Sequence, residues 1–208
     1  MFRLRLSLAA LAGVLAYASP AAAQNVIDDW QSVKVPPAPT LKPVTVDPKT
    51  TALLVVDLTN QFCGPRYTQC PGMIPTVKKL VTEARAKGVM VIYTSIPQVA
   101  KTEVVKELAP AENEPFVQSF LDKFVNSDLE KTLKDKSITT IIMVGLAANG
   151  AVLYTVSAAV QKGFGIVVPV DAITAINPYA EQFSLWQLGN APIISTKITL
   201  TKSDMIKF

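Results

Sequence analysis

Asp57 and Lys123 are the residues of this sequence whose type and position best suit catalysis, and Asp171 is a second carboxylate at the end of an apolar run. Asp57 ends the apolar run TALLVVD, Asp171 ends the run GIVVPVD, and Lys123 lies in DKF before a predicted helix. A carboxyl group at the end of a buried strand can give or take a proton, and a neighbouring ammonium influences its charge. For Asp171 we expect a structural role, in which its carboxylate orders backbone amides. Lys123 fits a solvated surface lysine as well as it fits a site residue.

The turn GLAANGAV, residues 145 to 152, holds no side chain that can attack a substrate. It follows the apolar run ITTIIMV and precedes a predicted helix, which is where an open α/β sheet usually carries its chemistry. Its central residues are Ala147, Ala148, Asn149, Gly150 and Ala151. The backbone N–H groups of such a turn can still meet a ligand oxygen, and we expect Asn149 to cap the helix.

The histidine and cysteine content excludes several kinds of site. The chain has no histidine, which removes Ser-His-Asp and Cys-His triads and every metal site that depends on imidazole. Cys63 and Cys70 are seven positions apart and predict a local disulfide in an oxidising compartment. The alternative is that Cys63, six positions after Asp57, stays free and acts as a displaced thiol.

The first 23 residues are typical of an export signal. Arg3 and Arg5 provide a charged start, residues 6 to 17 are apolar, and residues 21 to 23 are alanines suited to cleavage. Removing these 23 of the 208 residues leaves a mature chain of 185, which we expect to be periplasmic or secreted without stable membrane insertion. The signal takes two of the 20 basic and none of the 16 acidic residues, so the mature formal charge is +2. With no basic cluster, nucleic acid is not an expected partner.

Strands and helices alternate along the rest of the chain. Residues 24 to 50 form a Pro-rich arm, and residues 51 to 208 form a single predicted domain. Apolar runs predict strands at residues 51 to 57, 88 to 95, 138 to 145, 165 to 171 and 192 to 196. Apolar residues at helical spacing predict helices at residues 74 to 87, 127 to 136, 151 to 162 and 179 to 188. This alternation predicts a three-layer α/β/α fold with a mostly parallel sheet. Residues 97 to 124 are irregular and can cover the carboxyl edge of the sheet as a lid.

Two stretches resemble the isochorismatase-like superfamily, also called cysteine hydrolases. LLVVDLTNQFC is similar to the family pattern LVVDxQNDFC, with matches at Asp57, Asn60, Phe62 and Cys63. IIMVGLAANGAVLYTVSAAVQKGFGIVVPVDAI is similar to VLVxGVATDVCVxxTAxDAxxxGYxVxVVxDA, with matches at Gly145, Ala147, Val152, Thr155, Gly163, Asp171 and Ala172. The resemblance covers residues 50 to about 197 and implies the Rossmann-like isochorismatase-like hydrolase fold.

The resemblance also implies a catalytic set of an Asp, a Lys and a Cys. The Asp and Lys positions fall on Asp57 and Lys123, and the Cys position falls on Ala151, with Ala148 and Asn149 at the adjoining Thr and Asp positions. It implies substrate or oxyanion contacts at Asn60, Phe62, Ala147, Asn149 and Gly150. A methyl group cannot attack a carbonyl, so the covalent route is excluded at Ala151. We expect no cofactor and no metal, because the zinc ligands of the nicotinamidase branch include histidine.

Three functional hypotheses follow from these residues. In the first, an exported hydrolase acts on a small amide or vinyl ether through Asp57, without the family's nucleophile; this needs burial to raise the pKa of Asp57 against the pull of Lys123. In the second, the chain is a catalytically inactive family member that binds a small molecule or serves as a scaffold. In the third, Cys63 is a free nucleophile. The resemblance further implies a homo-oligomer.

Overall fold

A computed structural model describes residues 25 to 208, so the predicted export signal lies outside the described residues. The boundary between the two units of the chain falls between Pro36 and Pro37. In the described part of the first unit, the side-chain oxygen of Asn25 accepts hydrogen bonds from the amides of Ile27 and Asp28 at 3.0 and 3.3 Å. Across residues 25 to 208, no helix has the length and apolar character needed to cross a membrane.

The second unit is built on a six-stranded sheet in which all neighbouring strands are parallel. The described strands are β1 Val44–Thr45, β2 Thr51–Val56, β3 Met90–Ser95, β4 Phe116–Gln118, β5 Thr140–Gly145, β6 Gly165–Pro169, β7 Ile198–Thr201 and β8 Ile206–Lys207. The large sheet has the order β4-β3-β2-β5-β6-β7, and β1 pairs with β8 in a separate parallel ribbon. The predicted α/β class and parallel sheet are therefore confirmed.

Helices cover both faces of this sheet. They are α1 Cys70–Ala86, α2 Leu129–Asp135, α3 Leu153–Gln161 and α4 Pro178–Asn190. Successive residues of a strand point to opposite faces, so Leu53 and Val55 belong to the core under α1, whereas Leu54 and Val56 belong to the core shared by α2, α3 and α4. This arrangement is the predicted three-layer fold.

The structure differs from the sequence prediction in three elements. The strand predicted at residues 192 to 196 is wrong: Ile193 has φ of +68° and is exposed, and Ile194–Lys197 forms a single 3-10 turn before the true strand β7. Helix α1 begins four residues earlier than predicted, because Pro71 is tolerated in its first turn. Within the irregular stretch, residues 116 to 118 add the edge strand β4.

The central strands β2 and β5 end so close together that position 145 must be glycine. Gly145 has φ of +119°, and a Cβ placed on it would lie 2.0 Å from the carbonyl oxygen of Val56. The amide of Leu146 donates a hydrogen bond to that same oxygen at 2.9 Å. The turn after β5 is thereby held beside Asp57, which directly follows Val56.

Candidate active site

Asp57 and Lys123 form a buried ion pair at the carboxyl edge of the sheet. Lys123 Nζ lies 2.9 Å from Asp57 Oδ1, with the lysine side chain fully buried and that of Asp57 9% exposed. Thr94, at the end of β3, donates its hydroxyl proton to the same oxygen at 3.1 Å. The structure therefore brings the two predicted residues together, and the alternative of a solvated surface lysine is wrong.

The two carboxylate oxygens of Asp57 have different surroundings. Oδ1 accepts from both Lys123 and Thr94, whereas Oδ2 has no hydrogen-bond partner among residues 25 to 208. The fully enclosed side-chain atoms that lack a hydrogen-bond partner are Thr51 Oγ1, Thr59 Oγ1 and Ser95 Oγ. Asp57 Oδ2 is not one of them, so it is not fully enclosed. The geometry thus anchors Asp57 by one oxygen and leaves the other available to a ligand.

The ammonium of Lys123 is held by backbone carbonyls as well as by Asp57. Its Nζ lies 2.8 Å from the oxygen of Ser119, 2.7 Å from that of Phe120 and 3.5 Å from that of Ser95. An ammonium has three protons, so Asp57, Ser119 and Phe120 already occupy them all. Lys123 therefore acts as a fixed positive charge rather than as a donor to a ligand.

Burial shifts the pKa of both members of the pair. Desolvation raises the pKa of the Asp57 carboxyl above its ordinary value, although the charge and hydrogen bond of Lys123 and the hydrogen bond of Thr94 oppose it. Desolvation likewise lowers the pKa of Lys123 against the opposing effect of Asp57. The burial that the first hypothesis requires is present in this site.

The turn after β5 lies at the start of α3 with its alanines buried. Ala148 is fully buried and Ala151 is 5% exposed, whereas Asn149 is exposed. The amide of Ala148 donates to the carbonyl of Thr174 at 2.8 Å, and that of Gly150 donates to the carbonyl of Ala147 at 2.8 Å. These two amides are therefore already paired within the protein.

Asn149 does not cap the helix, contrary to the sequence prediction. No side-chain cap is formed at the N-terminus of the turn Ala148–Val152 or at that of α3. The chain enters α3 through a kink at Gly150, which has φ of −127° and ψ of −115°. The helix therefore has no regular N-cap position at which the Asn149 side chain could accept from a first-turn amide.

Cys63 and Cys70 form the predicted disulfide, and residues 25 to 208 contain no free cysteine. The third hypothesis, a free Cys63 nucleophile, is therefore wrong. The bridge ties the loop after Asp57 to the first residue of α1. In this loop the backbone amide of Asn60 donates to the carbonyl of Glu103 at 2.8 Å. The ring of Phe62 contacts the ring of Tyr67 edge to face. No hydrogen bond links Asn60 or Phe62 to the Asp57 carboxylate within the described chain, and their predicted contact with a substrate stays a prediction.

Asp171 has the structural role expected from the sequence. Its carboxylate accepts hydrogen bonds from the amide and the hydroxyl of Ser203, at 2.8 and 2.6 Å. It ties the end of β6 to the turn before β8 and is exposed. Asp171 therefore lies at a strand end without joining the Asp57–Lys123 pair.

Sequence reasoning assigned no role to the two threonines that support the site, although Thr155 is one of the family matches. Thr94 bonds to Asp57, and Thr155 accepts from the Lys123 amide at 3.1 Å while donating to the Leu121 carbonyl at 3.3 Å. Each is a buried polar residue, Thr94 near the end of a strand and Thr155 on the inner face of α3. A polar side chain in that setting is the signal that points to a partner.

The comparisons with known proteins show the family of this chain. The family model described as the isochorismatase domain matches residues 51–198.

Within the described chain, no group of three or more His, Cys, Asp or Glu side chains is placed to hold a metal ion.

Three known proteins illustrate the similarity. The N-carbamoylsarcosine amidase of Arthrobacter sp is 29% identical over 171 residues, which span 67% of this chain and 65% of that protein. The ureidoacrylate amidohydrolase RutB of Rhizobium rhizogenes is 24% identical, with 71% of this chain and 79% of that protein covered. The crystal structure of a cysteine hydrolase from Pseudomonas syringae pv. phaseolicola has the same fold, with a TM-score of 0.68 at 22% identity and coverage of 82% of this chain and 95% of that one.

Proposed function

The chain belongs to the isochorismatase family, and on that premise we propose that it hydrolyses a small amide through acid–base chemistry at Asp57, without a cysteine nucleophile. The observation that carries the proposal is the buried pair of Asp57 and Lys123, in which Asp57 Oδ2 remains open to a ligand. Ala151 occupies the position at which the family resemblance expects the nucleophile, and both cysteines are bridged.

The chemistry that these residues support begins with a proton on Asp57. A buried carboxyl group whose pKa is raised can stay protonated and donate to the leaving nitrogen of an amide. Lys123 and Thr94 hold Oδ1, so the donated proton comes from Oδ2. Water is then the nucleophile, and its oxygen attacks the carbonyl carbon in place of the cysteine sulfur of the family's route.

The relatives suggest where to look for the substrate. The two named amide hydrolases are called after N-carbamoylsarcosine and ureidoacrylate, which both carry a carbamoyl group on nitrogen. We therefore place N-carbamoyl compounds first among the candidate amides. A vinyl ether, which Asp57 would protonate on carbon, is the second substrate class.

A turnover screen tests the proposal. The mature chain is incubated with N-carbamoyl amino acids, simple amides and a vinyl ether, and product release is compared with that of Asp57→Asn. The matched control is Asp171→Asn, which removes a carboxylate that follows a different strand, β6, and contacts Ser203 instead of Lys123. Turnover lost in Asp57→Asn and kept in Asp171→Asn supports the hydrolase.

The alternative is an inactive family member that binds a small molecule. The specific observation in its favour is that Asp57 and Lys123 satisfy each other, while the turn carries Ala148 and Ala151 where chemistry is expected. Saturable binding in isothermal titration calorimetry, with no product from any substrate class, identifies this alternative.

We also predict that the protein is exported and that it forms a homo-oligomer. The signal sequence supports a periplasmic or secreted protein, and amino-terminal sequencing of secreted material checks cleavage before Gln24. An exposed apolar stripe on α4, formed by Tyr179, Phe183 and Trp186, supports a homo-oligomer because it holds no charge that would repel a second copy. Light scattering of the purified protein measures its mass directly.

A further inference from the structure

The loop of residues 119 to 125 carries exposed apolar side chains next to the Asp57–Lys123 pair. Phe120 and Leu121 are consecutive residues of this loop, and both side chains are exposed. The carbonyl oxygen of Phe120 lies 2.7 Å from Lys123 Nζ, which in turn lies 2.9 Å from Asp57 Oδ1. Because Leu121 directly follows that carbonyl, its Cα is no more than about 9 Å from the Asp57 carboxyl at ordinary bond lengths.

The side chain of Leu121 lies against the turn that follows β5. A Cβ placed on Gly150 would be 3.9 Å from Leu121 Cδ2 and 3.5 Å from Ala147 Cβ. Among the described residues, no other side chain comes within 4 Å of that point, apart from the chain neighbours of Gly150. Leu121 is therefore the side chain that reaches this part of the turn from elsewhere in the described chain.

Both partners of this contact are accessible to solvent. Leu121 is 55% exposed, and Ala147 and Gly150 are partly exposed. A methyl group added at position 150 would make only ordinary van der Waals contacts, so the glycine leaves room beside Leu121. A small apolar group of a ligand can therefore contact Leu121 and the turn together.

Hydrogen bonds fix the position of Leu121. Thr155 of α3 donates its hydroxyl proton to the Leu121 carbonyl at 3.3 Å and accepts from the Lys123 amide at 3.1 Å. Within the loop, Ser119 donates its hydroxyl proton to the Val125 carbonyl at 2.6 Å. The leucine is thus held in place relative to both α3 and the buried pair, as a residue that selects substrates must be.

The charges of this loop do not suit an anionic substituent. Its one cation is Lys123, whose three protons are already bonded within the protein. Its other charged side chain is Asp122, which would repel an anion. An apolar substituent suits the contact between Leu121 and the turn, because both surfaces there are apolar and lose water when it binds.

We propose that Leu121 is a specificity-determining residue that holds an apolar substituent of the substrate against the turn at Gly150. This inference rests on the proposed function and deepens it, because it names the substrate class as N-carbamoyl derivatives of apolar amino acids. One such molecule is long enough to place its carbamoyl group at Asp57 Oδ2 and its side chain at Leu121.

The selectivity of Leu121 variants tests the assignment. N-carbamoyl-leucine and N-carbamoylglycine differ only in the apolar side chain, so the ratio of their kcat/KM values measures its recognition. We expect the wild type to prefer the leucine compound at least about tenfold, and Leu121→Ala to lower the ratio about tenfold through a higher KM. Leu121→Met, which keeps an apolar side chain of similar volume, should keep the ratio.

Val125→Ala is the matched control. Val125 is 54% exposed on the same loop, and its side chain does not come within 4 Å of the Cβ position on Gly150. The variant should keep the wild-type ratio. N-carbamoyl-aspartate and N-carbamoyl-lysine test the choice of an apolar substituent, and both should be turned over more slowly than N-carbamoyl-leucine.

Three results would overturn the assignment. They are an unchanged ratio in Leu121→Ala, a fall in kcat with KM kept, which would indicate a displaced Lys123, or a preference for either charged compound. If the wild type turns over no substrate, the proposed function fails, and isothermal titration calorimetry with N-carbamoyl-leucine still decides the subsite. Binding weakened about tenfold by Leu121→Ala supports the subsite, whereas equal affinity in both proteins, or no binding, rejects it.

Discussion

Lys123 Nζ lies 2.9 Å from Asp57 Oδ1, and neither side chain is more than 9% exposed. The same oxygen accepts a hydrogen bond from Thr94, so one edge of the carboxyl group is fixed and the other edge is open. A carboxyl anchored in this way can present its second oxygen to a substrate in a defined direction. Because burial also raises the pKa of Asp57, the arrangement suits a proton donor.

Removing the ammonium of the pair should destabilise the fold. In Lys123→Met the Asp57 carboxyl and the carbonyls of Ser119 and Phe120 lose their buried hydrogen-bond donor, and we expect the free energy of unfolding to fall by about 3 kcal/mol at neutral pH. Urea denaturation measures the change. The control is Lys131→Met, which breaks an exposed pair with Asp135 and should leave the free energy of unfolding nearly unchanged. Equal stability of the two variants would mean that the buried pair contributes nothing to the fold.

Turnover should decrease as the pH rises, because the reaction requires Asp57 in its acid form. Only protonated Asp57 can donate, so kcat stays flat at low pH and falls about tenfold per pH unit above the raised pKa of this group. The midpoint should lie above about 3.9, the ordinary value for aspartate. Initial rates from about pH 4 to about pH 9 provide the profile. A kcat that instead rises with pH through this midpoint would identify Asp57 as a base.

Gly145 should tolerate no side chain. In Gly145→Ala the new Cβ would meet the carbonyl oxygen of Val56 at 2.0 Å, in addition to the strain of a positive φ. Gly163→Ala is the matched control, because Gly163 also has a positive φ, +96°, but nothing lies within 4 Å of its added Cβ. We expect the control to lose about 1 kcal/mol and Gly145→Ala to lose at least twice as much. Thermal unfolding monitored by circular dichroism compares them, and equal losses would show that β2 and β5 can move apart.

The disulfide should support stability and take no part in turnover. Cys63→Ser/Cys70→Ser opens a loop of seven-residue separation, and the expected loss is about 2 kcal/mol of unfolding free energy. Because no thiol enters the reaction, the folded variant should keep kcat within about twofold of the wild type. Native protein should show no free thiol in a thiol titration. Loss of turnover in a variant that remains folded would reopen a role for sulfur.

Much of the fold could be predicted from the sequence because its signals are local. The apolar runs that end at Asp57 and Gly145 are long enough to mark central strands buried on both faces. The sequence places the last strand too early because Pro192 to Ile194 has the composition of a strand, whereas Ile193 adopts a positive φ in the structure. Composition alone does not reveal that a β-branched residue will adopt such a conformation.

The site was predictable only in part, for a similar reason. Asp57 could be identified from its place after a strand, but the burial of Lys123 depends on the carbonyls of Ser119 and Phe120, which have no side-chain signature. The role of Thr94 likewise depends on the register of β2 and β3, which places it opposite Val56. Such contacts join residues distant in sequence, and no local pattern encodes them.

The central claim is hydrolysis through Asp57 without a thiol, and one comparison tests it most directly. The rate of ammonia release from an N-carbamoyl amino acid is measured for iodoacetamide-treated wild type and for Asp57→Asn. We predict that the treated wild type keeps its full rate and that Asp57→Asn loses at least about a hundredfold, the usual contribution of a general acid. Abolition of the wild-type rate by iodoacetamide, or an unchanged rate in Asp57→Asn, would contradict the account.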